Sequence, residues 1–251
     1  NYSILNYRKV QVDKEKIIKY HVGKGIKKRK RGENMSRAQL KILAMVSMLI
    51  DHIGALFFPH IMLFRIIGRL AFPLFCFFIA QGLIYTSNVR AYLGRLFLFA
   101  LLSEIPYDLA FYGTVYHPEK QNVFFTLFLG LIAISLLQTY LETKPFFAFV
   151  LAGIPVLVAE AFRTDYGWFG VTLIILFYCL RDAKTKGVLL FALLNTGYSF
   201  LTGTIKLYAA AAGVPILLYN GKRGKPDWKY FFYAFYPVHL LLLYFVRNIA
   251  F

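Results

Sequence analysis

LKILAMVSMLIDHIGALFFP, residues 40–59, is the stretch on which the fold turns. From Ile42 to Phe58 its only formally charged side chain is Asp51, with His52 beside it. A run of that kind approaches the roughly 20 apolar residues a helix needs to cross a hydrocarbon core of about 30 Å. Working outward, apolar segments recur at 64–85, 92–112, 122–138, 146–162, 168–180, 188–201, 205–219 and 231–248. With 40–58 they make about nine transmembrane helices, in a range of eight to ten. The segments at 168–180 and 188–201 are short enough to tilt, to be re-entrant or to be sheltered inside a bundle.

Composition points the same way. Of 251 residues 59% are hydrophobic, 18% aromatic and only 16% charged, against roughly 25% charged in an average soluble domain. A water-soluble enzyme built on one core is excluded, and 26 Phe with 18 Tyr exclude a disordered chain. The formal charge of +17 does not call for nucleic acid, because 11 of the 29 basic residues precede Met35 and the rest punctuate apolar stretches. Residues 1–34 read as a basic polar tail, disordered or a non-native extension, with no apolar core of a secretory signal before Met35. Residues 35–251 read as the functional domain. Cys76 and Cys179 lie in apolar runs and read as small buried hydrophobes, without disulfide or metal spacing.

The connections set an orientation. With the basic N-terminus in the cytoplasm, the cytoplasmic loops hold Arg90 and Arg95, Lys144, Arg181, Lys184 and Lys186, and Lys222, Arg223, Lys225 and Lys229, whereas the opposite loops hold Lys120, Arg163 and Lys206. That alternation follows the positive-inside bias and gives a multi-pass membrane protein with its N-terminus in the cytoplasm and its C-terminus outside. Pro73, Pro106, Pro155, Pro215 and Pro237 fall inside apolar spans, where a proline either interrupts or kinks the helix or is simply tolerated, and toleration is expected for most of the five.

Ionisable groups inside such spans are expensive, about 2.5 to 3.5 kcal/mol on insertion scales, and are functional candidates by default. Asp51 and His52 sit in the first span, Arg65 and Arg69 share a face of the second, and Glu104 and Asp108 share one of the third. Asn122 opens the fourth span, Glu160, Arg163 and Asp165 close the fifth, and His239 lies in the ninth. In the chosen orientation nearly all of these reach the outer half of the membrane. Arg65 with Asp51, and Arg69 with Glu104 or Asp108, are candidate ion pairs, as are Glu160 and Arg163. His52 is the candidate base, since an imidazole with an ordinary pKa near 6.5 can take and return a proton. Either Asp51 or a carboxylate of the third span is expected to orient it. No phosphate loop, HExxH, GxSxG or Cys/His metal pattern is present.

The first span, together with FRIIGRLAFPLFCFFIAQGLIYTSN (residues 64–88), YLGRLFLFALLSEIPYDLAF (92–111), NVFFTLFLG (122–130), DYGWFGV (165–171) and FYPVHL (235–240), resembles the TraX family of bacterial membrane proteins. The family's namesake acetylates the N-terminus of F-type pilin. The resemblance implies an integral membrane acyltransferase that uses acetyl-CoA as co-substrate, with a pilin-like N-terminus or an envelope glycan or lipid as acceptor; the acceptor itself does not carry over.

For acyl transfer a base must deprotonate the acceptor and donors must stabilise the oxyanion. On this reading His52, Asp51 and Glu104 are the catalytic candidates. Arg65, Arg69, Asp108, Asn122, Asp165 and His239 are candidates to contact substrate, and Arg95, Lys222 and Arg223 to attract the donor's phosphates. No metal or nucleic acid is expected, and the partners are membrane lipids and the acceptor. Two other classes remain open: a transporter or flippase using the buried charges as a pathway, and an assembly subunit without chemistry.

Overall fold

The computed structural model of the chain describes residues 35–225 and 229–250, so the expectation for residues 1–34 lies outside the described residues. The first helix, α1 (Arg37–Phe57), begins where Ser36 and Gln39 form a capping box: Gln39 N donates to Ser36 Oγ at 3.4 Å, and Ser36 N donates to Gln39 Oε1 at 2.8 Å. Two more of its orphan donors, Arg37 N and Ala38 N, donate to the carbonyls of Lys222 and Arg223 at 2.9 and 3.1 Å. The helix ends at Phe58, whose backbone is held out of the helical region by the following Pro59.

The helices α2 (Met62–Gly68) and α3 (Ala71–Tyr85) form a nearly continuous rod with a break at Arg69 and Leu70. Pro73 explains the break, because it has no N–H to return to the carbonyl of Arg69, four residues earlier. The chain continues through α4 (Val89–Tyr112), α5 (Val123–Tyr140), α6 (Pro145–Ala161), α7 (Gly167–Cys179) and α8 (Lys184–Thr202). A 3-10 segment (Ile205–Ala212), α9 (Gly213–Leu218) and α10 (Lys229–Ala250) complete it. All nine apolar segments read from the sequence are found in these elements, and no strand occurs among the described residues.

The fold is an all-α membrane bundle. Among the described residues four stretches are long and apolar enough to span a membrane: Arg37–Phe57, Met62–Tyr85, Val123–Tyr140 and Tyr230–Ile249. Pro145–Ala161, Gly167–Cys179 and Ile205–Leu218 are apolar but shorter. The helix α3 is the axis of the packing, in contact with α1, α5, α7 and the 3-10 segment, and it buries Leu74, Cys76, Ala80 and Leu83 almost completely. The last helix returns to pack on α4 and α1. Large apolar side chains such as Phe146, Leu157, Leu189 and Phe200 face outward, as a surface that meets lipid requires.

One expectation is corrected: Cys179 is exposed at the end of α7, although Leu176, Phe177 and Tyr178 before it in the last turn are buried. The helices run without interruption through Pro106, Pro155 and Pro237, which agrees with the tolerance of membrane helices for proline.

At Gly130 the helices α5 and α7 approach so closely that a β-carbon would run into the Ile174 side chain. Replacing Gly130 by Val is expected to lower stability in detergent by about 1–3 kcal/mol through overpacking. Gly153→Val, where no atom stands within 4 Å, causes no comparable loss; thermal unfolding of the two variants checks the difference.

Candidate functional site

The last turns of α1 carry Asp51 and His52, which project about 100° apart on the helix and therefore serve different neighbours. Asp51 faces α2 and the break behind it. Its Oδ2 accepts from Arg65 Nη1 at 2.8 Å and its Oδ1 from Arg69 Nη2 at 2.7 Å. Arg65 Nη1 also reaches the Asp51 carbonyl at 3.2 Å, and Arg69 Nε donates to the Arg65 carbonyl at 3.1 Å. The side chains of Asp51 and Arg69 are only 13% and 11% exposed. Helices α1 and α2 meet so tightly here that any side chain at Gly68 would strike the Asp51 carboxylate. One anion between two cations leaves the cluster with a surplus positive charge. Arg65 Nη2 and Arg69 Nη1 keep donors that no hydrogen bond among the described residues uses.

His52 faces α10. Its Nδ1 lies 2.7 Å from Nε2 of His239, and Nδ1 of His239 lies 2.6 Å from the carbonyl of Phe235. The two imidazole planes are 7° apart with centroids 5.0 Å from each other. That separation is what a 2.7 Å bond and two ring radii add up to, so the rings lie edge to edge in one plane. The tautomers follow from the partners. A carbonyl can only accept, so His239 carries its proton on Nδ1. In the neutral pair its Nε2 then accepts from Nδ1–H of His52, which leaves the lone pair of His52 on Nε2. That atom makes no hydrogen bond among the described residues, yet it is not one of the sealed orphan atoms of the interior. Phe111 and Tyr236 pack edge-on against the His52 ring at 5.4 and 5.9 Å, and Arg65 and Arg69 lie within electrostatic range.

The carboxylates of α4 are used differently. Asn122, the N-cap of α5, donates from Nδ2 to the Ala100 carbonyl at 2.8 Å and to Glu104 Oε2, while its Oδ1 accepts from Phe124 N at 3.0 Å. Asp108, fully buried, accepts from His117 N at 2.8 Å and so fixes the loop that follows α4. Glu104 Oε1 and Asp108 Oδ1 are buried without a hydrogen-bond partner. In the loop between α6 and α7, Asp165 pairs with Lys120 at 3.2 Å, and its carbonyl accepts from the Thr126 hydroxyl. The next residue, Tyr166, has a positive φ of 66°, lies flat on Phe72 and is within electrostatic range of Arg69 and Asp51.

Several sequence expectations are corrected by this geometry. Neither Asp51 nor Glu104 orients His52, because both are taken up, by arginines and by Asn122, and the orienting contact comes from His239. Arg65 of α2 and Arg69 at the break after it both pair with Asp51, and Arg69 does not pair with Glu104 or Asp108. Glu160 accepts from Trp168 N at 3.3 Å and forms no ion pair with Arg163. Asn122 has both amide hydrogens engaged and none left for a substrate.

The residues expected to attract phosphates lie at the end of the bundle where α1 begins. Arg95 and Arg223 line a cavity of about 280 Å³ together with Arg37 and Lys41, whereas Lys222 contributes only its carbonyl to Arg37 N. Tyr166, Tyr236, Arg37 and Lys41 were not singled out from the sequence. The i,i+4 spacing of Arg37 and Lys41 at the head of α1 was a usable signal for one of these pairs, but two tyrosines among 18 carried none.

Comparison with known proteins fits this arrangement. The family described as TraX protein matches residues 36–247. A relative in Dichelobacter nodosus, the probable fimbrial assembly protein FimC of serogroup H1, is 31% identical over 243 residues, covering 85% of this chain and 96% of its own. An uncharacterized protein of Rickettsia prowazekii (strain Madrid E), RP591, is 26% identical over 151 residues, covering 59% of this chain and 56% of its own. No solved structure matches the chain.

Removing one member of a buried ion cluster leaves the others uncompensated. Asp51→Asn is therefore expected to cost on the order of 2–4 kcal/mol in unfolding experiments in detergent. Glu160→Gln, which removes no ion pair, is expected to stay within about 0.5 kcal/mol of the parent.

Proposed function

We propose that this chain, which belongs to the TraX family, is an integral membrane acyltransferase that moves an acetyl group from acetyl-CoA to an amine or hydroxyl of an acceptor at the membrane. The acceptor class is a pilin-like N-terminus or an envelope glycan or lipid; the fimbrial assembly role in the name of the Dichelobacter relative favours the first. The enzyme works in a bacterial cytoplasmic membrane as a multi-pass protein with its N-terminus inside.

The observation that carries the reading is the chain of hydrogen bonds from the Phe235 carbonyl through His239 to His52. It presents a lone pair at Nε2 of His52 without ionising either ring, which is what a general base requires. Nε2 takes the proton of the acceptor amine or hydroxyl as that atom bonds to the thioester carbonyl carbon. The C–S bond breaks, and the proton passes from His52 to the departing sulfur, so a thiol and an amide or ester are formed. His239 is a positioning residue, holding the tautomer and plane of His52 in the way a carboxylate does in other acyl-transfer sites. The surplus charge and unused donors of Arg65 and Arg69 suit a developing oxyanion or an anionic group on a substrate. Glu104, Asn122 and Asp108 act on the scaffold by fixing the start of α5 and the loop before it.

The test is release of free thiol from acetyl-CoA by the purified protein, with and without candidate acceptors. Acceptor-stimulated release is expected, with a loss of about 100-fold or more in His52→Gln at unchanged melting temperature. A folded parent protein that releases no thiol with pilin-like peptides, glycans or lipids overturns the proposal.

The role of His239 has its own signature. His239→Leu removes the acceptor for Nδ1–H of His52 and is expected to lower turnover about 10- to 100-fold. His239→Gln, whose amide oxygen can accept the same proton, is expected to recover most of it in the same assay.

A further inference from the structure

Resting on the acyltransferase reading, we infer that the 280 Å³ cavity between α1, α3, α4 and α10 binds an elongated ligand with a phosphate-bearing head, of the coenzyme A thioester class. The cavity has two unlike ends. Its mouth, where Tyr85 and Arg223 are exposed, is ringed by Arg37, Lys41, Arg95 and Arg223, and among the described residues no acidic side chain lines it. Its inner end is formed by Met48, Val123, Phe124 and Tyr236.

The basic rim is built to hold something negative. Nε of Arg37 and Nε of Arg95 are buried without a hydrogen-bond partner, and no carboxylate among the described residues forms an ion pair with either guanidinium. Arginines in an apolar wall need an anion or full hydrogen bonding to offset their desolvation. Here the partners are neutral tyrosines: Arg37 lies over the Tyr85 ring at 4.7 Å and beside the Tyr219 hydroxyl, and Arg95 lies over the Tyr92 ring at 5.7 Å and beside the Tyr233 hydroxyl. Neutral partners leave the charge of each guanidinium to be answered by an anion such as a phosphate. Arg223 reaches the rim because its own carbonyl is pinned to Ala38 N, so the loop before α10 is part of the site's architecture.

Position decides between the ligands that share this chemistry. The cavity follows α1 from Arg37 to Met48, eleven residues or about 16 Å of helix, which suits an extended arm better than a compact anion. Met48 lies one turn before His52, and Tyr236 both lines the cavity and packs against the rings of His52 and His239 at 5.9 and 5.8 Å. A carbonyl at the tip of an arm anchored at the rim therefore arrives beside the histidine pair. A phospholipid has the same phosphate and an apolar tail, but gains nothing from an inner end that adjoins the histidine pair through Tyr236.

The test is equilibrium binding of coenzyme A to the full-length protein in detergent. Coenzyme A is expected to bind, to bind at least tenfold more weakly to an Arg37→Gln/Arg95→Gln variant of unchanged melting temperature, and to bind His52→Ala as it binds the parent. A diazirine-bearing acyl-coenzyme A is expected to label the parent protein within residues 41–48, 75–96, 123–127 or 232–236, which keeps the proposal testable if the double variant does not fold. Absence of coenzyme A binding, equal binding by the double variant, or labelling elsewhere overturns it. Phosphatidylglycerol that binds in an Arg37- and Arg95-dependent way, while coenzyme A does not, makes the cavity a lipid site. Binding as described without turnover on any acceptor defeats the acyltransferase reading and not the cavity. Turnover with an unchanged KM for acetyl-CoA in the double variant defeats the cavity and not the reaction.

Discussion

Asp51 is a carboxylate placed near the end of an apolar helix, where it is tolerable only if a cation comes to it. Two do, Arg65 and Arg69, and the beginning of the bundle is arranged around that meeting. To bring both guanidinium groups to one carboxylate, α2 lies against α1 closely enough that position 68 has no space for a side chain. The helix is also broken directly after Arg65 and its turn, where Pro73 releases the carbonyl of Arg69. Because Asp51 is held on one side of α1, its neighbour His52 is turned toward α10, and the partner available there is a second histidine. The ion cluster thus sets the direction of the imidazole without touching it.

That division of labour matters chemically. A carboxylate beside His52 would favour the charged ring, whereas a neutral imidazole whose outer nitrogen is tied to a backbone carbonyl transmits a tautomer without adding charge. The positive surplus stays with Asp51, Arg65 and Arg69, within electrostatic range of His52. The bundle then has two polar ends joined at α1. The polar cluster lies at the end of this helix, the basic rim of the cavity at its head, and the wall between them is Met48 and Tyr236.

The elements were legible because they rest on hydrophobic run length, which needs no partner to be recognised. All nine apolar segments appear as helical elements, and the convergence of Asp51, His52, Arg65 and Arg69 followed from where each span begins and ends. The pairings were not legible. Glu104 and Asp108 share a helix face and looked like partners for an arginine or for His52, but the first holds the N-cap of α5 and the second a loop amide. Both are local tasks that composition does not reveal. His239 lies 187 residues from His52, and no spacing rule connects residues on the first and last helices.

The sequence alone therefore determined that this is a membrane-embedded helical bundle with ionisable residues gathered toward one side, since the cost of burying charge and the length of apolar runs are properties of single segments. Only the tertiary structure decided which charge answers which. Hydrogen bonds and ion pairs depend on a few tenths of an ångström and on the rotation of each helix about its axis. That rotation is fixed by the packing of all the helices together: α10 against α4 and α1, and α3 against its four neighbours. The same packing produced the cavity, whose lining comes from stretches of chain far apart in sequence and brought to one place by the fold.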